Sequence, residues 1–358
     1  MDLVKKIAKK EWRKEPYRFQ NWGNWLHRMS AYVGKIKPSM AHLLIKYASN
    51  KEDVILDPFC GVGTVLLEAD FLGRKSIGVD LSPYAFCISQ AKFNRVHIDK
   101  HFKWLDNISL DLSSVNLNSC SPFMRQFYHS KTLKEILVVL ELIKKEKKYF
   151  LLGCLLGIIH GHRPGHLSAT TSLVIPYNPR TKPEYREVIP RLKSKVLRMY
   201  QDGFNLKSNC QIFNADSRDL PIHENSVDLV VSSPPYFNTL DYVNDNRLRL
   251  EFLGYSKDGR NKLKKELIQN KMNYLDDMER VGHELNRVIK PNGLCIFILG
   301  DLHSGNTIIN TAQEVKSIYE KIGFSSLGVV EDSMPKNKAI PSKIKRNKSD
   351  RILILKNN

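Results

Sequence analysis

Short aliphatic runs alternate with amphipathic stretches along most of the 358 residues of this chain. Such runs are typical of strands buried on both faces of a parallel sheet, and the stretches between them are typical of crossover helices. Strands are predicted over 54–56, 76–79, 211–213, 227–231, 294–299, 325–330 and 351–355. Helices are predicted over 64–72, 83–94, 274–289 and 307–322. The expected fold is therefore α/β, a doubly wound, mostly parallel sheet of seven strands.

One long stretch interrupts this alternation. Residues 100–208 carry helical patterns without strand-like runs between them, so we expect a mainly helical insertion between the second and third strands. The predicted organisation places the N-terminal helices and the first half of the sheet domain in 1–99, the insertion in 100–208, and the second half in 209–358.

The charge of the chain narrows the class of partner. Lysine and arginine number 56 against 37 aspartates and glutamates, a formal net charge of +19. This excess indicates a polyanionic partner, although solubility alone could account for part of it. Nucleic acid is favoured over a membrane surface, because no convincing basic amphipathic anchor is found and the longest apolar stretch, 150–159, is too short to span a bilayer. The N-terminal MDLVKKIAKKEW lacks the apolar core of a signal peptide and is read as an ordinary surface helix. A reducing cytoplasm is the expected location, because the six cysteines form no disulfide framework.

Cysteine and histidine usage argues against a metal site. The six cysteines are scattered without a Cys-x-x-Cys pair, which disfavours zinc and a disulfide framework. The histidine-rich stretch HGHRPGHLSATTS, 160–172, has no cysteine or acidic residue to complete a site. No metal is therefore expected.

A glycine-containing turn follows the first predicted strand in ILDPFCGVGTVLLEA, residues 55–69. Gly61 and Gly63 allow a sharp turn and the close approach of a ligand to the free amides of a helix that begins near Thr64. The turn is neither a Walker loop nor the full dinucleotide fingerprint. Taken alone, it could equally be a tight connection between a strand and a helix.

Three carboxylates follow the first three predicted strands and are therefore expected at one edge of the sheet. Asp57, Asp80 and Asp216 would suit an adenosine ligand that carries an amino acid, with one on the ammonium side, one at the ribose and one at the adenine amino group. Each aspartate taken singly could be a helix cap or a turn residue. Their joint placement is harder to attribute to turns.

The fourth predicted strand runs into SSPPY. Prolines cannot continue a strand ladder, so Pro234 and Pro235 must lie just beyond its carboxyl end, where ligands bind in open α/β sheets. Ser233 Oγ and the Pro234 carbonyl would place two hydrogen-bond acceptors there, and Tyr236 offers a ring face. Alone, Ser-Pro-Pro-Tyr is an ordinary turn composition.

In this order, DPFCGVGT, GVD, NAD and SSPPY resemble the DNA amino-methyltransferases that use S-adenosylmethionine and modify cytosine or adenine. HRMSAYVGKIKPSMAHLLIKY resembles the first cofactor segment of that family, and ELNRVIKPNGLCIFILGD resembles the helix, turn and fifth strand of class I methyltransferases. The resemblance covers 27–97 and 209–330 and implies a class I methyltransferase, Rossmann-like fold.

The resemblance implies a set of site residues and S-adenosylmethionine as the cofactor. The implied catalytic residues are Ser233, Pro234, Pro235 and Tyr236. The implied cofactor-binding residues are Tyr32, Lys35, Pro38, Asp57, Pro58, Phe59, Gly61, Gly63, Thr64, Asp80, Leu81, Asp216 and Ser217. In the family, a serine at the first motif position is commoner in cytosine-N4 enzymes, which favours cytosine over adenine-N6. The absence of a Pro-Cys dipeptide leaves no obvious nucleophile for methylation of a ring carbon.

Double-stranded DNA, with the target base flipped out of the helix, is the expected partner. Contacts are predicted from the insertion and from the basic stretch 245–265 that follows the motif. The predicted DNA-binding residues are His162, Arg163, Arg247, Arg249, Lys257 and Arg260. A restriction endonuclease that acts on the same site is a further expected partner. Two alternatives remain open: guanine-N2 methylation of tRNA or rRNA, and a catalytically silent relative that binds nucleic acid.

Overall fold

The computed structural model describes residues 2–358 except 20–21, 162–164, 172–177, 204–205, 208, 236–240, 270–272, 305–306 and 334–348. Its strands are β1 (Val54–Asp57), β2 (Lys75–Val79), β3 (Cys210–Phe213), β4 (Val227–Ser232), β5 (Ile289–Gly300), β6 (Leu302–Ser304), β7 (Thr307–Ile309), β8 (Phe324–Ser333) and β9 (Ser349–Asn357). Its α-helices are α1 (Leu3–Ala8), α2 (Pro38–Ala48), α3 (Thr64–Phe71), α4 (Pro83–Phe93), α5 (Ile98–Asn107), α6 (Pro122–Arg125), α7 (Ser130–Lys145), α8 (Tyr149–Ile159), α9 (Val188–Met199), α10 (Tyr242–Asp245), α11 (Arg247–Phe252), α12 (Lys257–Glu266), α13 (Tyr274–Val288) and α14 (Thr311–Ile322).

The main sheet has seven strands in the order β3-β2-β1-β4-β5-β9-β8, and it confirms the predicted fold. Strands β1 to β5 pair in parallel, whereas β9 runs antiparallel to both β5 and β8, so the sheet is mixed. The chain reverses its direction of winding between β1 and β4. The carboxyl ends of these two strands therefore flank the crevice in which open α/β sheets bind ligands.

The continuous apolar runs of the strands reflect burial on both faces of the sheet. In β1, Ile55 packs with α2 and α3 on one face, and its neighbour Leu56 packs with α13 and α14 on the other. Both side chains are fully buried. The central strands of the sheet therefore lie between two helical layers.

The predicted helix over 307–322 is wrong in its first turn. Residues Thr307–Ile309 form β7, which pairs with β6, and α14 begins at Thr311. β-branched side chains favour the extended conformation, and the side chain of Asn310 caps the helix by accepting from the amide of Gln313.

The described part of 100–208 contains helices and no strand, and it is joined to the sheet domain through a shared core. Helix α8 packs against α4. Gly153 makes this approach possible, since a Cβ there would lie 2.3 Å from Ala91 Cβ. Gly157 allows an equally close approach to the segment before α2, since a Cβ there would lie 2.0 Å from the Met29 carbonyl oxygen. The insertion is therefore held tightly beside the first half of the sheet.

We expect Gly157→Ala to destabilise the protein by about 2 kcal/mol or more, because a backbone atom must move to admit the methyl group. Gly259→Ala is the matched control within helix α12, where a Cβ would meet atoms no closer than 3.6 Å. There alanine should stabilise the helix by up to about 1 kcal/mol. Urea unfolding of both variants measures the difference, and equal stability of the two would contradict the packing described.

Candidate active site

A single pocket gathers the ends of β1, β2, β3 and β4 with the segment before α2. Ten of the thirteen predicted cofactor-binding residues line it: Tyr32, Lys35, Asp57, Phe59, Gly61, Thr64, Asp80, Leu81, Asp216 and Ser217. Ser233 and Pro235, from the SSPPY segment, line the same pocket. The two motifs that the sequence places 170 residues apart, at about Gly63 and Ser233, therefore face one cavity.

The glycine turn is held by hydrogen bonds on both sides. Gly61 and Gly63 have φ of 51° and 73°, the left-handed region that glycine favours. The Gly61 amide donates to Asp80 Oδ2 at 2.8 Å, while its carbonyl accepts from Ser89 Oγ at 2.7 Å. The side-chain nitrogen of the buried Lys92 donates to the Val62 carbonyl. The turn is thus fixed before any ligand arrives.

Asp57 and Asp80 are the two carboxylates at the centre of the pocket. Asp57 Oδ1 accepts from Ser232 Oγ at 2.6 Å, which ties the end of β1 to the end of β4. Asp80 accepts from the amides of Gly61 and Ser82, each at 2.8 Å. Burial raises the pKa of Asp57 to about 7 and that of Asp80 to about 6, although these hydrogen bonds oppose the change. Both groups can therefore change charge near neutral pH.

Asp216 differs from the other two carboxylates. Arg218 donates to both of its oxygens, at 2.6 to 3.1 Å, and also to Asp277 Oδ1 at 2.7 Å. Burial opposes the ionisation of Asp216, but the hydrogen bonds from Arg218 outweigh it and lower the pKa. The sequence interpretation missed Arg218, although an arginine two residues after an acidic strand end is a detectable signal.

The SSPPY segment divides between core and pocket. Ser232 and Pro234 are buried, whereas Ser233 and Pro235 reach the cavity. Ser233 Oγ donates to the Ile298 carbonyl at 3.3 Å, which leaves the lone pairs of its oxygen free to accept. Tyr236 lies outside the described residues.

An aromatic pair that the sequence interpretation missed lies at the same cavity. Tyr242 lines the pocket and stacks on Tyr32, with ring centroids 5.9 Å apart and planes inclined by 27°. Burial raises the pKa of both phenols, so both rings are neutral and act as apolar walls. Tyr242 lies six residues after Tyr236, and the sequence around it does not distinguish a pocket residue from a core residue.

Three predicted cofactor residues lie behind the cavity. Pro38 begins helix α2, as its missing amide favours. The Pro58 carbonyl accepts from Ser217 Oγ, and Gly63 caps helix α3. These three residues shape the pocket without lining it.

Several further pocket residues went unpredicted. They are Gly34, Ile36, Cys60, Val62, Ser82, Leu267, Ile268 and Gln269. Most are sequence neighbours of predicted residues and could have been found by extending the motifs, whereas 267–269 come from a loop after α12 that no pattern connected with the site.

The predicted DNA-binding residues differ in how far their side chains are exposed to a partner. His162 and Arg163 lie outside the described residues, and Lys257 is exposed. Arg247 lies over the Phe123 ring, 3.5 Å from its centroid, and pairs with Glu251 at 2.8 Å. Arg260 is largely buried and pairs with Glu251 at 3.1 Å.

The prediction for Arg249 requires correction. Its side chain is 1% exposed, and its guanidinium donates to the carbonyls of Leu156 and His160 at the end of α8, at 3.4 and 3.0 Å. The last carbonyls of a helix have no partner within the helix, and a guanidinium supplies one. Arg249 therefore holds the insertion in place and cannot reach DNA.

A basic cleft lies beside the pocket. It is lined by side chains of the insertion and of α10 to α12, including Ser121, Arg247, Lys257, Arg260 and Lys264. Helix α10 separates the two cavities, because Tyr242 lines the pocket whereas Val243 and Asn244 line the cleft. A ligand in the cleft would therefore lie one short helix away from Ser233.

No helix among the described residues has the length and apolar character that a membrane span needs. Within the same residues, no cluster of three or more histidine, cysteine, aspartate or glutamate side chains could hold a metal ion.

The profile of the DNA methylase family of the N6/N4 type matches residues 4–91, which include the segment before α2 and the glycine turn. This part of the chain resembles the N4/N6 DNA amino-methyltransferases. The predicted resemblance is thereby confirmed, although the profile does not reach the SSPPY segment.

Three curated relatives extend the comparison. Type II methyltransferase M.MjaII of Methanocaldococcus jannaschii is 34% identical over 127 residues, 36% of this chain and 22% of that protein. Type II methyltransferase M.BsoBI of Geobacillus stearothermophilus is 24% identical over 274 residues, 66% of this chain and 53% of that protein. A tRNA (guanine(10)-N2)-dimethyltransferase of M. jannaschii is 45% identical over 51 residues, 14% of each chain. The chain thus spans about half or less of the length of each relative.

Proposed function

We propose that this protein transfers a methyl group from S-adenosylmethionine to an exocyclic amino group of a base in DNA. The observation that carries the proposal is the shared cavity: Ser233 and Pro235 face the same pocket as Gly61, Asp57 and Asp80. A methyl donor held by the first two strand ends would then lie next to an amine held by the fourth.

The residues present suit S-adenosylmethionine. Thr64 Oγ1 is buried at the pocket and has no hydrogen-bond partner among the described residues, so it can serve a ligand there. Asp80 can accept from ribose hydroxyls, and Asp57 can neutralise an ammonium group. When bound, the cofactor supplies an electrophilic methyl group on a sulfonium centre.

The SSPPY segment orients the acceptor amine. Ser233 Oγ and the Pro234 carbonyl accept hydrogen bonds from its two N–H groups and direct the nitrogen lone pair towards the methyl donor. Methyl transfer needs alignment more than it needs an acid or a nucleophile, so a fixed hydroxyl and a rigid carbonyl suffice. The new nitrogen–carbon bond would replace the methyl–sulfur bond, S-adenosylhomocysteine would be the leaving group, and the proton lost from the amine would pass to solvent.

The basic cleft binds the DNA strand beside the flipped base, through Lys257, Lys264 and the arginines that pair with Glu251.

Cytosine-N4 is the proposed target because a serine, Ser233, stands at the first position of the Ser-Pro-Pro-Tyr motif. The M.MjaII and M.BsoBI relatives are named type II methyltransferases, so we also propose a partner restriction endonuclease of the same specificity.

Tritiated-methyl transfer to duplex DNA, followed by digestion to nucleosides, tests the proposal. We expect label in N4-methylcytosine. Label in N6-methyladenine would retain the reaction and change the base, whereas no label in any nucleoside would reject the proposal.

Guanine-N2 methylation of tRNA is the second candidate, and the short match to the guanine(10)-N2 enzyme of M. jannaschii favours it. That match covers 14% of this chain. Competition between duplex DNA and bulk tRNA as methyl acceptors separates the two functions. Preferential labelling of tRNA would replace DNA with RNA as the substrate.

Cofactor affinity should depend on pH. The pKa values of about 7 for Asp57 and about 6 for Asp80 mean that both carboxyls become protonated between neutral and mildly acidic pH. Protonation of Asp57 removes the charge that attracts the ammonium group of the ligand. Protonation of Asp80 removes acceptors for the ribose hydroxyls. We expect the affinity for S-adenosylhomocysteine to fall about tenfold or more from roughly pH 8 to roughly pH 5, measured by calorimetry.

Ser232→Ala provides a directional check on this pH dependence. The Ser232 hydroxyl stabilises ionised Asp57 and lowers its pKa against the effect of burial. Its removal should move the midpoint of the affinity profile to higher pH. An affinity independent of pH in the unsubstituted protein would contradict the assignment of both carboxyls to the ligand.

A further inference from the structure

The loop after helix α12 forms a wall of the pocket that the proposed function leaves without a role. Leu267, Ile268 and Gln269 all line the cavity. Ile268 is 5% exposed and anchors the loop in the core between the sheet and α13. The placement of Gln269 at the cavity is therefore fixed by its neighbour.

The loop lies at the Asp216 end of the pocket. Arg218 Nη2 donates to the Glu266 carbonyl at 2.7 Å and to Asp216 Oδ2 at 2.6 Å, so one guanidinium joins the loop to the end of β3. Phe59 and Ala215 pack against the hydrophobic cluster that contains Ile268. This end of the cavity combines apolar surfaces with polar groups, as a purine ring requires.

The side-chain amide of Gln269 has a defined orientation. Its Nε2 donates to the Lys264 carbonyl at 3.2 Å, and because a carbonyl can only accept, the NH2 group must face that oxygen. Its Oε1 is buried and has no hydrogen-bond partner among the residues that the structure describes. A buried acceptor without a partner is uncommon in a folded protein and indicates a donor that arrives with a ligand.

Asp216 is poorly suited to act as that acceptor alone. Both of its oxygens already accept from Arg218, at 2.6 to 3.1 Å, and Oδ1 also accepts from the Arg218 amide at 2.9 Å. Its carboxylate is engaged in holding Arg218, which in turn holds the loop.

We propose that Gln269 Oε1 accepts a hydrogen bond from the exocyclic amino group of the adenine of the cofactor and thereby selects adenine over 6-oxopurines. The proposal rests on the proposed use of S-adenosylmethionine. Hypoxanthine carries a carbonyl where adenine carries the amine, so its oxygen would face Gln269 Oε1 and both acceptors would stay unpaired. Sites that hydrogen-bond a ligand donor reject analogues that lack it.

Calorimetry with S-adenosylhomocysteine and S-inosylhomocysteine tests the assignment, because the ratio of their affinities is independent of a general loss of binding. The unsubstituted protein should prefer the adenosyl ligand by about tenfold or more. Gln269→Met, which keeps the length of the side chain and removes the acceptor, should reduce this preference to about threefold or less. Gln211→Leu, at an exposed position in β3, is the control and should keep the full preference.

The outcomes separate this proposal from the proposed function. Gln269→Met with an unchanged preference would overturn the assignment, and loss of the preference in Asp216→Asn alone would give the role to Asp216. If the unsubstituted protein bound neither ligand, the proposed cofactor, and this assignment with it, would be wrong.

Discussion

Replacing Ser233 by alanine should reduce the rate of methyl transfer to DNA by about a hundredfold or more while leaving the affinity for S-adenosylhomocysteine within about twofold. Ser233 lines the pocket, and its hydroxyl is fixed by the Ile298 carbonyl at 3.3 Å. Removing one preorganised acceptor leaves the amine free to rotate its lone pair away from the methyl group, whereas the cofactor contacts come from other strand ends. Single-turnover transfer measures the rate, and calorimetry measures the affinity.

Ser226→Ala is the matched control, because Ser226 precedes the opposite end of the same strand and its hydroxyl donates to the His223 carbonyl, at 2.6 Å. It should retain full activity. Equal rates for the Ser233 variant and the unsubstituted protein would exclude the proposed role of the hydroxyl, and a parallel loss of cofactor affinity would move Ser233 from the amine to the cofactor.

Replacing Asp80 by alanine should weaken cofactor binding by about tenfold to a hundredfold, the second large effect. The carboxylate fixes the Gly61 amide and the Ser82 amide and also faces the cavity. Its loss removes acceptors for the ribose and releases the glycine turn that shapes the pocket. Saturating S-adenosylmethionine should restore much of the transfer rate, since the SSPPY segment is unchanged.

Asp53→Ala is the comparison for Asp80, because Asp53 lies just before β1 at the opposite edge of the sheet and accepts from the Asn50 amide at 2.7 Å. The affinity of the Asp53 variant for the cofactor should match that of the unsubstituted protein. An Asp80 variant that binds S-adenosylhomocysteine normally would show that the carboxylate serves the turn alone.

Much of the lining of the pocket was predictable because strand ends in a parallel sheet meet at one edge. Asp57 and Asp80 end or follow strands, and Gly61 follows one, so their convergence required only the correct strand assignments. The same logic placed Ser233 at the mouth of the cavity. Local patterns carry this information since each motif is short and adjoins its own strand.

The tertiary structure alone decided the roles of residues whose partners are distant in sequence. Arg249 lies in a basic stretch and was predicted to contact DNA, yet it is buried because its guanidinium completes the end of a helix about 90 residues earlier. Gln269 belongs to a loop without a motif, and only the path of the chain through Ile268 brings it to the pocket.

The sequence by itself determined the α/β fold, the strand ends and the residues of the two motifs, because burial pattern and turn chemistry are local properties. Only the tertiary structure decided that Arg218 also engages Asp277 and the Glu266 carbonyl, that Tyr242 stacks on Tyr32, and that α10 separates the pocket from a basic cleft. These contacts join segments that are distant in the chain and meet only in the folded protein, so no local pattern records which side chains come together.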